Sequence, residues 1–181
     1  EGKPLIEHVI LRLLPSKKIN KIVIATTKNS EDDKLENWAK QYSLNIFRGS
    51  EKNVLSRFYN CAKFYDADIV VRITADDPLK DYRLIDTIID LLITKNLDFV
   101  TNNNPPTFPE GLDVEAFTMQ TLSNCYLNSS SLNHKEHVTQ YVYENIEKFN
   151  FFNLKNDIDF SSYRWTIDTN EDYQFIKEIY K

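Results

Sequence analysis

From residue 5 to residue 101, amphipathic helical patterns and short apolar β-branched runs take turns along the chain. Few folds tolerate that order. Leu5, Ile6, Val9, Ile10, Leu13 and Leu14 repeat at helical spacing up to Pro15, and Pro4 suits a first turn, where its missing N–H costs nothing. KIVIATT (21–27) reads as a buried strand. SEDDKLENWAKQY follows as a helix, with Ser30 expected as its N-cap and an acidic first turn that suits the helix dipole. NIF (45–47) is a brief strand running into the turn RGS, and NVLSRFYNCAKFY (53–65) is a second amphipathic helix. DIVVRIT (68–74), YRLIDTIIDLLI (82–93) and DFVT (98–101) continue the series as strand, helix and strand. Strict alternation with apolar strands predicts an α/β fold, a parallel sheet covered by helices on both faces with right-handed connections.

Beyond Thr101 the pattern changes. NNNPPTFPEG (102–111) holds too many prolines and asparagines for regular structure and reads as an ordered loop or lid. LDVEAF (112–117) alternates, Leu112, Val114 and Ala116 against Asp113 and Glu115, which predicts a half-exposed strand showing carboxylates to a cleft. Helices are expected near 119–127, over 134–146 and over 170–180, the last capped by Thr169 or Asn170. FNFFNL (149–154) reads as a strand and YRWTID (163–168) as an extended approach to the last helix. Residues 1–181 show no repeat, low-complexity stretch or internal boundary and are read as a single domain.

A chain of 181 residues buries roughly 70% of its unfolded surface and needs no staples. A formal net charge of −5 argues against a grip on long nucleic acid, although a local cationic pocket for a small phosphate ligand remains open. Cys61 and Cys125 read as two buried, reduced thiols of a cytoplasmic protein. No apolar run approaches the ~20 residues of a membrane span. Only Gly2, Gly49 and Gly111 are present, so the chain has no glycine-rich cradle for phosphates. Because EGKPLIEHVI opens on a helix start with no strand before it, such a loop is expected to lie upstream.

The chemistry concentrates in RITADDPLKD (72–81). Ligands of open parallel sheets bind beyond the carboxyl ends of the strands. Asp76 and Asp77 follow such a strand, and Pro78 keeps them out of a helix. Asp168 ends RWTID just before the last helix, and with Asp76 could clasp one hard cation; magnesium takes one or two protein carboxylates and leaves its other positions to water and phosphate. A strand ending in Asp-Asp-Pro is more often a turn and helix-cap device than a metal site, and Asp168 alone reads mostly as a helix cap, so the spacing suggests the metal without specifying it. Arg72 interrupts a buried strand and is expected to pair with a carboxylate or face a ligand. Arg48 and Ser50 in RGS could meet a phosphate or base edge, and Arg57 sits among apolar residues of a helix. His134 and His137 stand three apart, but no cysteine partner or HExxH spacing makes them a zinc site.

GKPLIEHVILRL, KIVIATT, FRGSEKNVLSRFY, DIVVRITADDPLKD, FPEGLDVEAF, EHVTQYVYEN and YRWTIDTNEDY together resemble the cytidylyltransferases of acidic-sugar pathways. The resemblance is to the spore-coat polysaccharide biosynthesis protein F group, related to acylneuraminate and Kdo cytidylyltransferases, and it covers essentially the whole chain. It implies a three-layer, mostly parallel sheet of the Rossmann-like nucleotide-diphospho-sugar transferase type with a small antiparallel extension. It also implies transfer of CMP from CTP to an acidic or modified sugar, with pyrophosphate released, Mg2+ as cofactor and a homodimer as the assembly. By the same likeness Asp76 and Asp168 hold the metal, and Arg48, Ser50 and Arg57 lie near the nucleotide; Arg72, one strand end from Asp76, is expected to serve catalysis with it. Glu110, Asp113 and Glu115 then lie near the sugar, while Asp77 takes a variable position and Asp81 serves the next helix. The family's first strand and its phosphate-wrapping loop precede the GKPL block, and both are expected upstream of Glu1. Two other readings stay in view: a glycosyltransferase of similar architecture, which would need a D-x-D pair that ADDP does not supply, and a non-catalytic sugar-nucleotide-binding domain.

Overall fold

The computed structural model describes residues 2–181, and these form two compact units. One unit comprises the residues up to Asn20, Val71–Ala116 and Phe151–Lys181; the other comprises Lys21–Val70 and Phe117–Asn150. Both units are discontinuous in sequence, which is why no shift in composition separates them.

In the second unit, β1 (Val23–Thr27) pairs in parallel with β2 (Asn45–Gly49), Val23 opposite Asn45 through Thr27 opposite Gly49. Burial along β1 alternates, Ile24 and Thr26 inward, where a strand buried on both faces was expected; among the described residues β1 pairs with β2 alone, and α3 (Val54–Phe64) packs on it. Ser30 does not cap the next helix. Ser30–Asp32 instead form a 3-10 turn ahead of α2 (Asp33–Gln41), and the Asp32 carboxylate reaches back to accept from Thr26 Oγ1 at 2.7 Å and Thr27 N at 2.9 Å. Asn53 caps α3, accepting from Ser56 N at 2.8 Å. Cys61 on α3 is buried and unpaired, and burial pushes its thiol up to about 11.

The unit's later part holds α5 (Met119–Asn128), capped by Thr118, and then a break in what reads from sequence as one helix over 134–146. The structure has α6 (Leu132–Glu136) and α7 (Gln140–Glu144), separated where His137 leaves helical geometry at ψ 96°. The interruption turns the β-branched pair Val138 and Thr139 into the core. His134 Nε2 pairs with Glu144 at 2.6 Å, which employs the imidazole in the fold.

The first unit carries α1 (Leu5–Leu13), which buries Val9, Ile10 and Leu13 and ends before Pro15, and α4 (Tyr82–Thr94), whose Ile85, Ile88, Ile89 and Leu92 form its inward face. Asp81 caps α4, accepting from Arg83 N at 2.9 Å. A four-stranded mixed sheet runs in the order β3 (Ile69–Arg72), β5 (Glu115–Thr118), β4 (Phe99–Thr101), β6 (Phe151–Asn153), with β4 and β6 parallel. β5 therefore has a neighbour on either side, and Glu115, Ala116 and Phe117 are buried; the half-exposed strand expected there is an interior one. The closing helix α8 (Asn170–Ile179) is capped by Thr169 in a full capping box with Asp172.

Candidate active site

The polar residues beyond β3 divide into those that build the turn and one that does not. Asp77 is 5% exposed, accepts from Thr74 Oγ1 at 2.7 Å and pairs with Lys80 Nζ at 2.8 Å. Lys80 is 1% exposed and donates also to the Asp113 carbonyl at 2.5 Å. The carbonyl of Lys80 accepts from Arg12 Nε at 2.8 Å, which ties the turn to α1. Asp77 and Asp81 thus serve the turn and the following helix, as their positions predict. Asp76 is different: its Oδ1 is buried and has no hydrogen-bond partner. A buried carboxylate oxygen left unmet is costly and calls for a ligand-based account.

The segment 163–168 lies alongside. Glu110 N donates to Tyr163 O at 2.9 Å, Trp165 N to Glu110 O at 2.7 Å, and Ile167 N to the Asp76 carbonyl at 3.0 Å. The main chain one residue before Asp168 is therefore a direct neighbour of Asp76. Gly111 makes this approach possible: its φ is +97°, and a Cβ there would stand 2.7 Å from the Trp165 carbonyl carbon. Asp168 is exposed and engages the Arg164 guanidinium, which also holds Glu110 Oε1 at 2.5 Å and Asp172 Oδ1 at 3.1 Å. These carboxylates raise the Arg164 pKa, and Arg164 with backbone donors holds Asp172 well below its usual range.

Among the described residues no three His, Cys, Asp or Glu side chains gather as a metal cluster. The arrangement of Asp76 and Asp168 suits a cation that needs few protein ligands. Both supply hard oxygen donors, one with a buried oxygen unmet, and magnesium keeps most of its shell for water and phosphate. Arg164 would share Asp168 with such an ion.

Arg72 donates from NH1 to Glu115 Oε2 at 3.0 Å, so this guanidinium has the carboxylate partner its position demands. Arg72, Glu115, Thr74, Asp77, Asn103 and Asp113 line a cavity of about 230 Å³. A second cavity of about 280 Å³ is lined by Asn103, Pro106, Phe108, Glu110, Asp113 and Ser161. Burial, with Asp77, Glu110 and Glu115 nearby, raises the Asp113 pKa, and Lys80 offsets part of that.

The three residues expected near the nucleotide lie in the other unit. Arg48 is occupied there: Nε donates to Thr27 O at 2.8 Å, NH2 to Asn29 O at 2.6 Å, and NH1 to Asp33 and Glu36 at 2.6 and 2.5 Å. It would have to exchange these partners to meet a phosphate. Arg57 NH1 donates to Ser50 O at 2.7 Å, so the RGS turn and Arg57 are brought together, and Gly49 is the reason: a Cβ there would meet Arg57 Cγ at 2.7 Å. Arg57 Nε is buried without a partner, and burial lowers the group's pKa. Sequence reasoning missed Lys80, Asn102 and Arg164. Asn102 is fully buried, and its amide bridges Leu112 O at 3.0 Å and Val114 N at 2.8 Å.

A family model described as cytidylyltransferase matches residues 1–181. The chain is similar to a solved cytidylyltransferase structure from Leptospira borgpetersenii serovar Hardjo-bovis, at 38% identity and a TM-score of 0.92, over 98% of this chain and 75% of that one. It is 31% identical over 162 residues to the spore coat polysaccharide biosynthesis protein SpsF of Bacillus subtilis, 88% of this chain and 67% of that protein. In fold it resembles CMP-2-keto-3-deoxy-manno-octonic acid synthetase in complex with CTP, with a TM-score of 0.72, 15% identity, and 99% and 88% of the two chains covered.

Proposed function

This chain belongs to the cytidylyltransferase family, and from that premise we propose that it transfers CMP from CTP to a hydroxyl of an acidic or modified sugar for surface-glycan synthesis. The acceptor oxygen bonds to the α-phosphorus as the bond to the β-phosphate oxygen breaks. Pyrophosphate leaves, and the hydroxyl proton passes to solvent. Transfer of this type rests on positioning and on neutralising phosphate charge.

The observation that carries the reading is the buried, unpartnered Asp76 oxygen beside the segment that ends in Asp168. Mg2+ held by these two carboxylates would supply charge neutralisation at the phosphates when bound. Arg72, already oriented by Glu115, is the side chain in the adjoining cavity able to offer positive charge to a phosphate or sugar oxygen. Within the second unit, Arg57 has donor capacity unmet and stands beside Ser50, and Arg48 fixes the strand end. Glu110, Asp113 and Glu115 stand on the sugar side. A homodimer belongs to the same reading; sedimentation returning a monomer would remove it.

Asp76→Ala in the native protein tests the assignment. Pyrophosphate release from CTP with magnesium and a sugar panel should fall at least about 100-fold. Folding stability should not fall, since the lost oxygen makes no internal bond and its burial is unfavourable. Turnover at the wild-type rate would sink the metal role of Asp76.

A further inference from the structure

Arg164 reaches three carboxylates at once. Its Nη1 donates to Glu110 Oε1 at 2.5 Å, its Nε to Asp172 Oδ1 at 3.1 Å, and its Nη2 to Asp168 Oδ2. One guanidinium shared among three carboxylates leaves negative charge in excess. Two of the three have other work. Asp172 caps α8 and accepts from Asp168 N and Thr169 N, each at 3.0 Å. Glu110 joins its loop to the 163–168 segment through main-chain bonds with Tyr163 and Trp165. The Asp168 carboxylate has no such work: Arg164 holds one oxygen, and the other accepts no hydrogen bond among the described residues. The Arg164 and Asp168 side chains are 37% and 52% exposed, and an ion pair so exposed adds little to stability. A fixed charge in that place acts more on a neighbouring cation than on the fold.

We propose that Arg164 is the built-in counter-ion of the metal centre: it holds Asp168 by one carboxylate oxygen, competes with a divalent cation for that residue, and so weakens the protein's grip on the free ion. The inference rests on the reading of Asp76 and Asp168 as the metal pair and goes beyond it. A cation that takes the other Asp168 oxygen, together with the buried, unmet oxygen of Asp76, comes close to a guanidinium that never loses its charge. Removing Arg164 has two opposing effects. Asp168 loses the partner that orders its side chain, and the cation loses a like charge. The main chain at Asp168 is fixed without Arg164, because Ile167 N donates to the Asp76 carbonyl and Asp168 N to Asp172 Oδ2. What is lost is the ordering of one short side chain, a smaller effect than the repulsion between a divalent and a monovalent cation at close range. Repulsion decides the sign.

The test is Mn2+ binding, without nucleotide, to the native protein and to Arg164→Gln, followed by calorimetry and by the paramagnetic resonance of the free ion. At low ionic strength Arg164→Gln should bind Mn2+ about 5- to 20-fold more tightly, the effect of one charge beside a divalent ion in a water-exposed site. The difference should close as salt approaches about 1 M. Arg164→Lys keeps the charge without the planar fork and should stay within about threefold of the native affinity. A purely structural role would shift the melting temperature of both variants and produce no salt-dependent gain. Equal or weaker binding by a folded Arg164→Gln overturns the proposal and leaves Asp76 and Asp168 standing as the metal pair. If neither protein binds Mn2+, the metal reading fails and takes the proposal with it. Tighter binding that Asp76→Ala abolishes in both backgrounds supports the two together. Should Arg164→Gln not fold, Arg164→Met, neutral with a long stem, replaces it; failure of both to fold would make Arg164 a structural residue and overturn the proposal.

Discussion

Asp113 and Asp172 are two carboxylates of one unit whose surroundings push them in opposite directions, and pH separates them. Arg164 and backbone donors hold Asp172 below its ordinary value of 3.8, so the folded state favours its ionised form. The unfolded chain then binds more protons in that window. Stability from Asp172 is complete above pH 3.8 and is lost as pH falls through the depressed value. Asp172→Asn should therefore lower the thermal midpoint at pH 7, with the deficit closing in acid. Asp113 has the reverse sign: burial raises it, so its contribution is fully present below 3.8 and is lost as pH rises through the folded value. Asp113→Asn should raise the midpoint at pH 7 and converge with wild type in acid, read from paired melting curves. A stability gain there is what a residue kept for binding at the expense of folding would show. The roles of Asp77 and Asp81 were legible because turn and cap chemistry is local. Lys80 was not, since lysine is seldom buried and its partners Asp77 and Asp113 meet only in the folded chain. Arg48 read as a free strand-end cation for the same reason; Asp33 and Glu36 reach it from a helix that the sequence places before β2.

Among the elements, the extended segment 163–168 matters most, because it carries Asp168 to the neighbourhood of Asp76. Its path depends on Gly111. Gly111→Ala would meet both left-handed backbone strain and a clash with the Trp165–Thr166 main chain, neither of which a rotamer change can relieve. The expected cost is about 2–4 kcal/mol in denaturant unfolding, with catalytic loss even where the protein stays folded. A fully active Gly111→Ala variant would separate the segment from the site. Apart from the start of α2, where a 3-10 turn stands in place of the expected Ser30 cap, helices and strands up to Thr101 could be read within a residue or two, since hydrophobic period marks them. The split of 134–146 into two short helices could not, because apolar spacing persists across the break and only the inward turn of Val138 and Thr139 decides it.

At the scale of the molecule, the alternation of helix and strand was enough to name the fold class, which the match to nucleotide-diphospho-sugar transferase folds bears out. The order β3-β5-β4-β6 was not readable, since inserting β5 between two strands earlier in the chain is a non-local pairing. No helix among the described residues is long and apolar enough to cross a membrane. The central claim is a group transfer, and the fate of the α-phosphate tests it most directly. CTP labelled at that phosphorus is incubated with the native protein, magnesium and a sugar acceptor, and the products are separated. Label appearing in a CMP-sugar, with one pyrophosphate released per sugar modified, is the predicted result. Label recovered only as unchanged CTP, or as free CMP without a sugar adduct, would contradict it.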